Sequence, residues 1–127
     1  KKDRDVRALN DLAWILQDRK EYNEAEPLVR DALMISSNLP PAWDTLGVIL
    51  MKKGQFDEAE TALNKAISLD PTIRPNLVHL AELYCLTKRY ERADRIIEDL
   101  LSKPNEIPVD DRDTLQRLKK VVAEGNR

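Results

Sequence analysis

The chain repeats itself every 34 residues. This spacing superposes Leu9, Trp43 and Leu77, then Leu12, Leu46 and Leu80, then Ala13, Gly47 and Ala81, then Leu16, Leu50 and Tyr84. It continues through the aromatics Tyr22, Phe56 and Tyr90, the small residues Ala25, Ala59 and Ala93, the branched Val29, Leu63 and Ile97, and finally Ala32, Ala66 and Leu100. Three copies without an insertion restrict the fold severely. A period of about 20 to 50 residues marks a supersecondary unit that buries its apolar face only by stacking on its neighbours.

Each copy reads as two helices. In the second copy Trp43, Leu46, Gly47 and Leu50 follow the i, i+3, i+4, i+7 spacing of one helical face. Phe56, Ala59, Leu63, Ala66 and Leu69 do the same in the second helix. Gly or Ala at 13, 47 and 81, and Ala at 25, 59 and 93, permit close approach of two backbones. The polar links Asp18–Glu21, Lys52–Gln55 and Thr87–Arg89 are short enough for antiparallel pairs. Pro40 and Pro41 suit a first helical turn, where the missing N–H costs little. Asp70-Pro71 closes the second copy, because a residue before proline avoids the helical region. Pro27 falls one turn into a helix and removes a hydrogen bond there.

With these residues in place, Trp43-x2-Leu46-Gly47-x2-Leu50, Ala59-x3-Leu63 and Pro71 together resemble the tetratricopeptide repeat (TPR) signature. The likeness spans roughly residues 6–105. It is looser in the outer copies, where Leu9 and Leu77 stand in the Trp position, Lys20 and Lys88 in the position of Gly54, and Ser37 and Asn105 in that of Pro71. The Glu24-Ala25-Glu26-Pro27-Leu28 stretch is similar to kinesin-light-chain-type repeats, which accept a proline there. The resemblance implies an all-α fold, a right-handed superhelical solenoid of antiparallel helix pairs. Its expected organisation is an N-terminal flank at 1–5, repeats at 6–39, 40–73 and 74–107, and a C-terminal capping helix within 108–127.

The capping helix is expected over 110–124. Leu115, Leu118, Val121 and Val122 form one apolar stripe, Asp110 or Asp111 serves as N-cap, and Gly125-Asn126 is the stop. The chain opens on Lys1-Lys2-Asp3-Arg4 rather than Met, as expected of a segment of a longer protein. Its repeats have a bacterial look, similar to C-terminal repeats of large envelope-linked proteins.

Catalysis and metal binding find few candidates. The chain has one His, one Cys and three Gly, with no HExxH, CxxC or phosphate-cradling glycine loop. No enzyme, cofactor or metal site is expected. Cys85 reads as a small apolar filler, compatible with cytoplasm or periplasm. Asp110, Asp111 and Asp113 lack the glycine and later Glu of a calcium loop. Twenty-one basic against 23 acidic residues, a net charge of −2, leave no footprint for nucleic acid. Arg89, Arg92 and Arg95 are expected on a solvated outer face. No apolar run is long enough for membrane insertion.

The remaining function is binding another protein or peptide. By resemblance, the concave groove is lined by Arg7, Asn10, Asp11, Trp14, Gln17 and Asp18 from the first copy and Asp44, Thr45, Val48, Met51 and Lys52 from the second. The third contributes Val78, His79, Glu82, Cys85 and Leu86. Trp14, Val48, Met51, Val78, Cys85 and Leu86 would form an exposed apolar strip, while Trp43 belongs to the core. The partner contacts are expected from Asn10, Trp14, Asp44, Val48, Met51, His79, Glu82 and Leu86. Chaperone-binding relatives clamp a C-terminal carboxylate with Lys, Arg and Asn. The corresponding positions here are Asn10, Trp14, Thr45, Pro75 and His79, without a Lys or Arg. The expected ligand is therefore an apolar or helical segment. The alternative is a structural spacer or self-association segment of a larger multi-repeat protein.

Overall fold

The computed structural model describes residues 5–126, in which every regular element is helical. The elements are α1 (Val6–Asp18), α2 (Tyr22–Ile35), α3 (Pro40–Lys52), α4 (Phe56–Leu69), α5 (Arg74–Leu86), α6 (Tyr90–Leu101) and α7 (Val109–Gly125). A short 3-10 turn at Pro104–Glu106 precedes α7. The chain divides after Asp70 into two compact units. Among the described residues, no helix is long and apolar enough to cross a membrane.

In the first unit α1 pairs with α2 and α3 with α4, and α2 also packs on α3. Its core is made of Ala13, Ala25, Val29, Ala32, Ile49, Leu50 and Leu63, all essentially without solvent contact. Complete burial of a Leu, Ile or Val contributes about 1.5–3 kcal/mol. The expected close approach is real at Gly47. A β-carbon there would stand 2.6 Å from Cγ and Cδ2 of Leu63, so glycine lets α3 lie directly on that side chain.

The second unit packs α5 against α6 and closes both with α7. Leu83, Ile97, Leu100, Leu115, Leu118 and Val122 form its interior. Lys119 Nζ lies 3.4 Å from Glu98 Oε1, joining α7 to α6, and Arg74 pairs with Glu106 at 3.0 Å. The N-cap of α7 is Pro108; Asp110 and Asp111 fall in the first turn and favour the helix dipole from there. This corrects their expected capping role. The stop falls where expected: Gly125 is the last helical residue and Asn126 the C-cap, and a β-carbon on Gly125 would collide with the Tyr90 ring.

All three helix pairs turn by the same device. Lys20, Gly54 and Lys88 have φ of 65°, 80° and 62°, the left-handed region. Each turn closes with the two hydrogen bonds of a Schellman motif. Lys20 N–H donates to the Gln17 carbonyl and Glu21 N–H to Leu16. Gly54 donates to Met51 and Gln55 to Leu50, then Lys88 to Cys85 and Arg89 to Tyr84, all between 2.8 and 3.2 Å. Two lysines therefore adopt the backbone shape that glycine adopts without steric cost.

Proline placement follows expectation at α3, whose first two residues are Pro40 and Pro41, while Pro27 is carried inside α2. Trp43 departs from it. The ring is half-buried rather than core, and its indole N–H donates to the Ser37 carbonyl at 2.8 Å. A shallow apolar recess between α2 and α3, lined by Leu33, Met34, Ser37, Trp43 and Leu46, keeps that ring near the surface.

Candidate functional site

The residues expected to meet a partner lie on the first helix of each pair. In the first unit these are Asn10 and Trp14 on α1 and Asp44, Val48 and Met51 on α3, two helices that touch directly. Trp14 is 38% exposed. One turn earlier, Asn10 is 8% exposed, and its Oδ1 has no hydrogen-bond partner among the described residues. Leaving such an oxygen unmet costs about 1–3 kcal/mol, and its burial keeps it out of reach of a partner's donor. Gln17, Asp44 and Thr45 add further buried polar side chains, and Thr45 Oγ1 donates to the Pro41 carbonyl at 2.9 Å.

The expected exposed apolar strip is not continuous. Val48 and Met51 in the first unit are buried, as are Val78 and Cys85 in the second. Of the six apolar positions, Trp14 and Leu86 reach solvent. Asn10 and Asp44 are also mostly covered. The reason lies in the repeat register. Positions 10, 44 and 78 are buried in every copy, and so are 17, 51 and 85, so these positions are covered within the chain. Positions 18, 52 and 86 are exposed in every copy.

In the second unit, His79 and Glu82 are half-buried and Leu86 is exposed on α5. Burial pushes the Cys85 thiol above its ordinary pKa. The Glu82 carboxylate adds to the rise, and the Arg117 guanidinium opposes it. A thiol so placed stays protonated and poorly nucleophilic. Arg89 and Arg92 are not merely solvated, because their guanidiniums lie 6.0 and 5.8 Å from the centre of the buried Tyr84 ring. Among the described residues no cluster of His, Cys, Asp and Glu is arranged to hold a metal ion.

Sequence reasoning missed one polar device in the first unit. Glu26 on α2 accepts from Lys53 Nζ at 2.8 Å through Oε1 and from Arg30 Nε at 2.8 Å through Oε2. Lys53 caps α3, so this carboxylate bonds one helix pair to the next. Foremost the hydrogen bond from Lys53, then that from Arg30, hold the Glu26 carboxyl below its ordinary range against the cost of burial.

Helix pairs with small residues at the crossing, a repeated left-handed turn and a closing helix define an all-α, TPR-like solenoid. The chain belongs to the family of the middle TPR-like domain of cilia and flagella-associated protein 70, which matches residues 9–116. It is 32% identical over 121 residues to Protein POLLENLESS 3-LIKE 2 of Arabidopsis thaliana. That match covers 89% of this chain and 25% of the plant protein, so the chain spans a quarter of that relative's length. The fold is similar to the Sgt2 TPR domain of Aspergillus fumigatus, with a TM-score of 0.80 and 22% identity over 96% of this chain and 82% of that one. It is also similar to the TPR2B domain of yeast Sti1 in complex with an Hsp70 peptide, with a TM-score of 0.78 and 16% identity, covering 95% of each chain. The curated relative is a plant protein, which lends the expected bacterial origin no support.

Proposed function

We propose that this chain is a non-catalytic protein-interaction module that holds an apolar or helical segment of a partner against its first-helix faces. The observation that carries this reading is the exposure of Trp14 on α1. Trp14 offers a broad, partly exposed ring, while Asn10, one turn away, is buried. A segment lying across that turn gains apolar contact from the ring. Asn10, Asp44, Val48 and Met51 form supporting floor rather than direct contact, since they are covered. On the second unit, His79, Glu82 and Leu86 serve the same role on α5.

The ligand is not the free C-terminal carboxylate of a chaperone tail. Asn10, Trp14, Thr45, Pro75 and His79 supply no Lys or Arg for a clamp. The TPR2B domain of yeast Sti1 holds an Hsp70 peptide in its complex. Transfer of such a ligand to this chain is disfavoured by the side chains present.

The test is a selection of displayed peptides on the intact chain, with amphipathic helical sequences and acidic C-terminal tails offered together. Enrichment of amphipathic sequences indifferent to a free carboxylate is expected. Enrichment of acidic tails that need their terminal carboxylate would overturn the proposal.

A further inference from the structure

The repeat register exposes a second surface, on residues of α1 that the reading above does not use. Leu12 and Ile15 are 45% and 53% exposed. Thirty-four residues later, Leu46 and Ile49 are 4% and 0% exposed. Ala8 is exposed and its counterpart Ala42 is fully buried. Ala8, Leu12 and Ile15 recur at i, i+4 and i+7 and share one face of α1. At 100° per residue, Trp14 lies roughly 100° or more from the centre of that face.

What covers the equivalent face one copy later is visible. Helix α2 packs on α3, with Leu33 and Met34 beside Trp43 and Leu46. At the end of that contact Glu26 of α2 accepts from Lys53 at 2.8 Å. The position equivalent to Lys53 in the first copy is Arg19, another cation, directly after α1. Arg19 is two-thirds exposed and reaches Glu21 only at 3.6 Å. The α1 face thus reproduces both halves of the α2-on-α3 interface, an apolar stripe and a cation at its C-terminal end, and no described helix completes it.

We infer that the Ala8–Leu12–Ile15 face of α1, with Arg19 at its end, is a docking surface for one amphipathic helix built like α2. That helix presents its apolar side to Leu12 and Ile15 and a carboxylate, in the position of Glu26, to Arg19. This face continues the pattern of the α2–α3 interface, and Arg19 supplies the charge complementary to the carboxylate. It stands apart from the Trp14 site.

A tethered copy of α2 tests it. Residues 22–39 are duplicated directly ahead of Val6, in place of residues 1–5, which reproduces the spacing between α2 and α3. Thermal unfolding of the full chain with and without the addition is compared. A higher Tm and added helical ellipticity are expected. Both gains should be lost with Leu12→Glu/Ile15→Glu, whose sites are exposed and leave the parent chain folded. Arg19→Glu should lower the gain, and Glu26→Lys in the added copy alone should restore it. No gain, or a gain indifferent to Leu12→Glu/Ile15→Glu, overturns the inference. A concentration-dependent dimer of the unextended chain, abolished by Leu12→Glu, would also overturn it, by making a second copy the occupant. Peptide selection at Trp14 is unaffected by either result.

Discussion

Single residues carry the differences between the three copies, and the turns show it most clearly. Lys20, Gly54 and Lys88 hold one backbone conformation, with φ between 62° and 80°. A side chain in that region incurs a steric cost that glycine avoids, partly offset by glycine's greater freedom when unfolded. Lys20→Gly and Lys88→Gly are each expected to stabilise the chain by about 0.5–1 kcal/mol, read as a higher urea midpoint at unchanged slope. Gly54→Ala should cost a similar amount. A lysine carries no local signal for the left-handed region, and only its register with Gly54 revealed the shared turn. Gly47 is the opposite case, legible because small residues recur at 13, 47 and 81. Gly47→Ala drives a methyl group into Leu63, which is completely buried and has little room to yield. The overpacking should exceed the helix-propensity gain of about 1 kcal/mol and leave a net loss of about 1–2 kcal/mol. The outer copies solve the same crossing with Ala13 and Val29 or Ala81 and Ile97. Leu63→Val in the Gly47→Ala background should therefore recover part of the loss in a double-mutant cycle of chemical denaturation.

At the scale of elements, the 34-residue period made the helices and their pairing plain, whereas the bonds between pairs stayed hidden. Glu26, Arg30 and Lys53 are unremarkable among 44 charged residues, and Lys53 is far from the other two in sequence. They meet only because α2 packs on α3. The folded chain holds Glu26 more acidic than the unfolded chain does, so its contribution is fully present at neutral pH. It is lost as pH falls from the ordinary value of 4.5 through the lowered one. Glu26→Gln should lower stability at pH 7 by about 0.5–1 kcal/mol, and the gap from wild type should close on acidification below 4.5. Denaturation curves at several pH values check this, and a gap independent of pH would refute it. The closing helix was legible by its Leu115, Leu118 and Val122 stripe. Its ends fell within one residue of the expected 110–124, whereas the cap at Pro108 and the seat of Gly125 against Tyr90 carried no local signal.

For the whole molecule, sequence register placed the expected contacts on the first helix of each pair without settling which side chains remain accessible. Trp14, Val48 and Glu82 share one register position, yet Trp14 is exposed, Val48 is buried and Glu82 lies between. Their exposure depends on what packs beside each copy, which periodicity does not encode. Apolar character alone overstated the strip at Val48, Met51, Val78 and Cys85, since a helix-on-helix face and a binding face are written in the same residues. The Asn10 oxygen, buried and without a hydrogen-bond partner among the described residues, had no sequence signal at all.

The most direct measurement is the dissociation constant of a peptide selected on the intact chain, compared between wild type and Trp14→Ala, the variant shown to be folded by circular dichroism. A loss of about tenfold or more, or about 1.4 kcal/mol, is expected if the ring holds the partner. Equal affinity in the two proteins would contradict the account and move the interaction away from this turn of α1.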